Sequence, residues 1–79
     1  MAVLRLFASA REAAGTARAE VAGATVGDVI DEACARFGPG FVAVLSTSKV
    51  WLNGEEVPRE CTVGDNDEVA VLPPVSGGS

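Results

Sequence analysis

Few residues of this 79-residue chain can do chemistry by themselves. Histidine is absent, and the two cysteines, Cys34 and Cys61, are too few and too widely spaced for a zinc site. In a reducing compartment they are free thiols, and Cys34 falls on an apolar stripe as a small core residue. Ser46, Thr47 and Ser48 stand in a row with no base beside them, which suits turns and caps better than nucleophilic catalysis. The acidic turn Asp65, Asp67, Glu68 lacks the spacing of a calcium loop. No glycine-rich loop of the phosphate-binding kind occurs. What remains is the end of the backbone, Val71-Leu72-Pro73-Pro74-Val75-Ser76-Gly77-Gly78-Ser79. Two prolines stop a strand because neither can donate to a ladder. Beyond them the chain is small and then bare, a slim, mobile terminus suited to threading into another protein's active site.

The string Pro73-Pro74-Val75-Ser76-Gly77-Gly78 resembles the tail of MoaD/ThiS-type ubiquitin-like sulfur carriers, closest to the small subunit of molybdopterin synthase. The segment Phe7 to Gly15, with Arg11-Glu12 and a glycine after a first strand, is similar to the same family, although Arg11 and Glu12 themselves read as a solvated surface pair. The resemblance implies a β-grasp fold and a subunit with no self-contained active site. Partner enzymes would adenylate the terminal Gly-Gly carboxylate and convert it to a thiocarboxylate that donates sulfur in molybdopterin biosynthesis. Gly78 would carry the reacting carbonyl, with Gly77 behind it, and bare backbone approaches a nucleotide phosphate closely. A thiocarboxylate is a better nucleophile than a carboxylate at neutral pH. The implied partners are a ubiquitin-activating-type adenylating enzyme and the synthase large subunit. No cofactor is bound, and ATP is used by the adenylating partner. The chain departs from the family at Ser79, which keeps Gly78 in a peptide bond until it is removed. Two other readings stay open. Related carriers serving thiamine, cysteine or transfer-RNA thiolation share this tail, and a ubiquitin-like interaction domain could keep the tail unmodified, as Ser79 favours.

The elements that must hold such a tail follow from periodicity. Ala2 to Ala8 alternates as a strand, with Leu4, Leu6 and Ala8 on one face and Val3, Arg5 and Phe7 on the other. Ser9 to Thr16 reads as a connection with a helical turn over residues 10–14, ended by Gly15. Ala17 to Ala22 reads as a weaker second strand in a hairpin with the first. Thr25 opens a helix over residues 26–37 as N-cap, with Asp28 in the capping-box position. Val26, Val29, Ile30, Ala33, Cys34 and Phe37 form its apolar stripe, and Glu32 and Arg36 are spaced as an ion pair. Gly38-Pro39-Gly40 ends it, and Phe41 to Leu45 predicts a short helical plug. Lys49 to Leu52 is a strand, Asn53-Gly54 a hairpin turn, and Glu55 to Val57 a return strand cut short by Pro58. Residues 59–66 are a polar connection, and Glu68 to Leu72 is the last strand. The expectation is an α+β fold: residues 1–74 form one β-grasp domain, a mixed sheet of four to five strands around one main helix, and 75–79 form the tail.

Charge assigns the sheet faces. Arg5 and Lys49 cannot be buried cheaply, so Phe7 and Trp51, which share their parity, face outward with Ala70 and Leu72. Phe7, Trp51 and Leu72, continued by Pro73, Pro74 and Val75, would form an apolar partner-binding patch beside the tail. A net charge of −5 argues against nucleic acid. No apolar run reaches the ~18 residues of a membrane span, and no signal-peptide pattern opens the chain, so a cytoplasmic protein is expected.

Overall fold

A computed structural model describes residues 1–74. The expected Gly-Gly tail and Val75 lie outside the described residues. Eight elements follow in order: β1 (Ala2–Leu6), α1 (Ala8–Ala14), β2 (Arg18–Val21), α2 (Val26–Phe37), α3 (Pro39–Leu45), β3 (Lys49–Leu52), β4 (Glu55–Glu56) and β5 (Glu68–Leu72). The sheet has the order β2-β1-β5-β3-β4. β1 and β5 run parallel at its centre, and all other pairs are antiparallel. The chain must therefore cross over between its first and last strands, and the helices lie on the face covered by that crossover.

α2 forms where the sequence predicts it. The Asp28 N–H donates to Thr25 Oγ1 at 3.1 Å, and the Thr25 N–H donates back to Asp28 Oδ2 at 3.3 Å, closing the capping box. The remaining N-terminal donors find acceptors in the segment read as a polar connection: Val26 N–H on Cys61 O and Gly27 N–H on Arg59 O, both 2.9 Å. That segment is thus strapped to the helix. Arg59 Nη2 completes the strap, donating to Gly27 O at 3.3 Å and to Asp31 Oδ1 at 2.7 Å. Val26, Val29, Ile30 and Ala33 are buried against Leu4, Leu6, Val69 and Val71 of the two central strands. Val50 and Leu52 pack at the margin of this core, half-buried. Phe41 on α3 is fully buried, and its ring meets Phe37 at 5.3 Å between centroids, so the short helix does plug the core.

The first third of the chain departs from the sequence reading. β1 stops at Leu6 rather than Ala8, and the expected connection is a seven-residue helix, α1. Four of its residues are alanine, the best helix former, and Ala10 is fully buried. Ala8 takes φ +51, so the backbone turns sharply out of β1 and Ala8 leaves the face of Leu4 and Leu6. Gly15 closes α1 at φ +77, its N–H donating to Arg11 O. β1 and β2 are antiparallel neighbours, but this helix stands between them, so they are no tight hairpin. Arg36 does not reach Glu32: its Nη1 donates to the Glu20 carbonyl at the sheet edge, 3.2 Å away. The β3–β4 turn is as read, with Asn53 at φ +52 and Gly54 at φ +88.

Candidate functional site

The outer face of the sheet is built by register. β5 lies between β1 and β3, with Ala70 beside Arg5 and Trp51, and Leu72 beside Lys49. Because alternate residues share a face, Val69 and Val71 go to the core, and Ala70 and Leu72 come out with Arg5, Trp51 and Lys49. The turn at Ala8 places Phe7 just past the end of β1, on the same side. The result is an open, mainly apolar depression of about 490 Å³ lined by Phe7, Trp51, Ala70, Leu72, Pro73 and Pro74, with Lys49 among the polar residues at its rim. Leu72 to Pro74 are both part of this wall and the last described residues before the tail. The structure thus brings together five of the six residues read as a partner face; Val75, Gly77 and Gly78 lie outside the described residues.

The face mixes apolar and charged groups. Phe7 is 39% exposed, and the Arg5 guanidinium carbon stands 5.8 Å above its ring centroid, a cation–π arrangement. Arg5 also holds Glu68, with Nη1 3.2 Å from Oε2. Trp51 is half-buried, and its indole Nε1 has no acceptor among the described residues. Sequence parity found the aromatic and leucine positions. It also put Ala70 on the outward face, and the structure adds that Ala70 lines the depression between them.

The other reactive side chains are occupied or remote. Ser46 Oγ donates to Ala43 O, and Thr47 Oγ1 and Ser48 Oγ both donate to Val44 O, so the three hydroxyls cap α3. Burial, with Asp31 nearby, pushes the Cys34 thiol up from its ordinary value, which keeps it protonated and poorly nucleophilic. Cys34 opens on a second depression of about 530 Å³ on the helical side, between Ile30, Val42, Leu45 and Val50, for which the sequence carried no signal. Asp67 is bonded to the Gly64 N–H and to Asn53 Nδ2, which hold its carboxyl below the ordinary range. Among the described residues no group of three or more His, Cys, Asp or Glu could hold a metal ion, and no helix is long and apolar enough to cross a membrane.

A mixed five-stranded sheet packed on a main helix, with a parallel central pair, is the ubiquitin-like β-grasp. The chain belongs to the ThiS family, whose model matches residues 4–78, and so has the fold of the MoaD/ThiS-type sulfur carriers. It is similar to SAMP1 from Haloferax volcanii, with 34% identity over 96% of this chain and 97% of that one and a TM-score of 0.80. A putative molybdopterin converting factor, subunit 1, from Pyrococcus furiosus is 28% identical, with 94% of this chain and 97% of that one covered and a TM-score of 0.82. A chain of the Amycolatopsis orientalis BexX/CysO complex is 26% identical, with 99% and 100% covered and a TM-score of 0.80.

Proposed function

We propose that this protein is a sulfur carrier whose Gly78 carboxylate is adenylated with ATP by a partner enzyme, and that sulfur from a donor then displaces AMP to leave a thiocarboxylate. The thiocarboxylate donates its sulfur in molybdopterin biosynthesis, with the chain acting as the small subunit of the synthase. One observation carries this reading. The strand that ends at Leu72 delivers its two prolines, and hence the tail, from the wall of an apolar depression on the outer sheet face. A partner seated on Phe7, Trp51 and Leu72 takes the root of the tail with it, so docking and delivery of the terminus are one event. The Pro73-Pro74-Val75-Ser76-Gly77-Gly78 string and the likeness to a molybdopterin converting factor subunit support the molybdopterin acceptor. The likeness to SAMP1 and to the BexX/CysO complex supports a second reading, a carrier of the same chemistry with a different acceptor.

The test is reconstitution. A chain ending at Gly78 is loaded using an adenylating enzyme from the same genome, ATP and a sulfur donor. It is then offered to a synthase large subunit with the molybdopterin precursor, or to enzymes of cysteine or thiazole formation. Sulfur appearing in molybdopterin supports the first reading. Loading followed by transfer only to another acceptor replaces it with the second.

A further inference from the structure

We infer that the outer sheet face docks a protein surface rimmed with carboxylates, which meet a pair of arginines, Arg5 and Arg18, beside the apolar depression. The inference rests on the carrier reading for the identity of the enzymes used to test it, and on the sheet register for its substance. Arg5 and Arg18 are cross-strand partners in β1 and β2. Leu6 N–H donates to Ala17 O at 2.9 Å, which makes the next pair along, Arg5 and Arg18, a non-hydrogen-bonded one. Side chains approach most closely in such pairs, and like charges placed directly opposite destabilise a sheet. The register therefore sets two arginines opposite each other on one face, with the Arg5 guanidinium turned to the Phe7 ring and to Glu68. Arg5 is partly neutralised by Glu68, but Arg18 is exposed and has no ion pair among the described residues.

The charges on this face follow the rows of the register. Glu20 and Glu68 flank Val3 in the row farthest from the tail, and Glu68 also lines the depression. The next row holds Arg18, Arg5 and, across Ala70, Trp51 and Glu56. The last row holds Leu72 and Lys49 beside the depression and the tail root, with Lys49 Nζ 3.8 Å from Glu56 Oε1. A chain of net charge −5 is steered as a whole towards basic surfaces. On this face Glu68 holds Arg5 and Glu56 holds Lys49, which leaves Arg18 as the cation with no ion pair among the described residues. A partner with carboxylates opposite Arg5 and Arg18, and an apolar side chain for the depression, satisfies both the charge and the apolar seat.

Isothermal titration of the adenylating enzyme and of the synthase large subunit with the full chain, at low and high salt, tests this. Arg18→Glu should weaken binding of one of them about tenfold at low salt, Arg18→Gln by less, and the differences should shrink at high salt. Circular dichroism checks that both variants keep the fold, and removing one of the two opposed charges should leave it intact. Undiminished affinity of folded Arg18→Glu for both enzymes would overturn the inference, as would failure of the parent chain to bind either. A chain that binds in the salt-sensitive way described but is never loaded with sulfur would overturn the carrier reading and leave this one standing.

Discussion

Leu72 is the residue at which the fold becomes the tail. Its neighbours in the sheet, Val71 and Val69, are fully buried, whereas Leu72 lies on the outer face beside Trp51 and Phe7. Leu72→Glu places a charge where the proposed partner must remove water, and should weaken binding to the adenylating enzyme by about 1.4 kcal/mol or more, tenfold in Kd. Titration calorimetry measures this, and an unchanged Kd in a folded variant refutes the partner face. The glycine before the N-cap of α2 makes a different point. A Cβ added at Gly23 would stand 2.7 Å from Val29 N and 2.8 Å from Val29 Cγ2. Neither atom can move without disturbing the helix that Thr25 and Asp28 begin. Gly23→Ala should cost about 1–3 kcal/mol in urea unfolding, and a variant as stable as the parent would show that the loop moves aside freely. Nothing in the sequence marked Gly23, because its constraint comes from a close approach rather than from a turn conformation.

At the scale of elements, legibility followed how local each cause was. α2, β3, the Asn53-Gly54 turn and β5 are specified by caps, turn chemistry and alternation within a few residues, and their expected and observed limits coincide. α1 reads in the sequence as a single turn because its alanines show no amphipathic period; burial of Ala10 stabilises it from outside. The Glu32 to Arg36 spacing predicted a pair along the helix, but a free carbonyl at the sheet edge competes for the guanidinium. That competition has a use. In β2 the register directs the Arg18 and Glu20 backbone groups away from β1, to the open edge. Thr16 Oγ1 donates to Arg18 O at 2.9 Å and accepts from its N–H at 3.3 Å, and Arg36 covers Glu20 O. Side chains thus occupy groups that would template another strand. Combining Thr16→Val with Arg36→Ala should produce concentration-dependent self-association in sedimentation velocity; a variant that stays monomeric at millimolar concentration would show that the edge needs no cover. The turn before β5 responds to pH. The Gly64 N–H and Asn53 Nδ2 bonds favour ionised Asp67 in the folded chain, so its folded pKa lies below its unfolded one. This contribution is present above the unfolded pKa and is lost as pH falls through the folded one, below about pH 4. Asp67→Asn should flatten that part of the stability profile, and an unaltered acid limb in urea titrations would remove Asp67 as its source.

For the whole molecule, the division of labour is the consequence that matters. The described residues hold a sheet, an apolar seat and an unpaired Arg18, but the Ser46, Thr47 and Ser48 hydroxyls are committed to capping α3 and burial holds the Cys34 thiol protonated. Under the proposed function the reacting atom is the Gly78 carbonyl carbon, placed by the seat and worked on by partners. An acyl adenylate forms only on a free carboxylate, and in a chain that continues to Ser79 that carboxylate belongs to serine. Retaining Ser79 moves the reacting carbon by one residue, about 3.3–3.6 Å, and adds a side chain in the channel. Catalysis that depends on positioning loses ~100-fold for a misplacement of about 1 Å. The chain ending at Gly78 should therefore be converted to the thiocarboxylate by the adenylating enzyme, ATP and a sulfur donor, and the chain ending at Ser79 should be converted at least about 100-fold more slowly. In the shorter form, Gly78→Ala should also be impaired, because a methyl group crowds a passage suited to bare backbone. Intact mass, which registers one oxygen replaced by sulfur, reads all three. Equal conversion of both lengths would refute removal of Ser79 as a requirement, and conversion of neither would favour a ubiquitin-like interaction domain that keeps its tail unmodified.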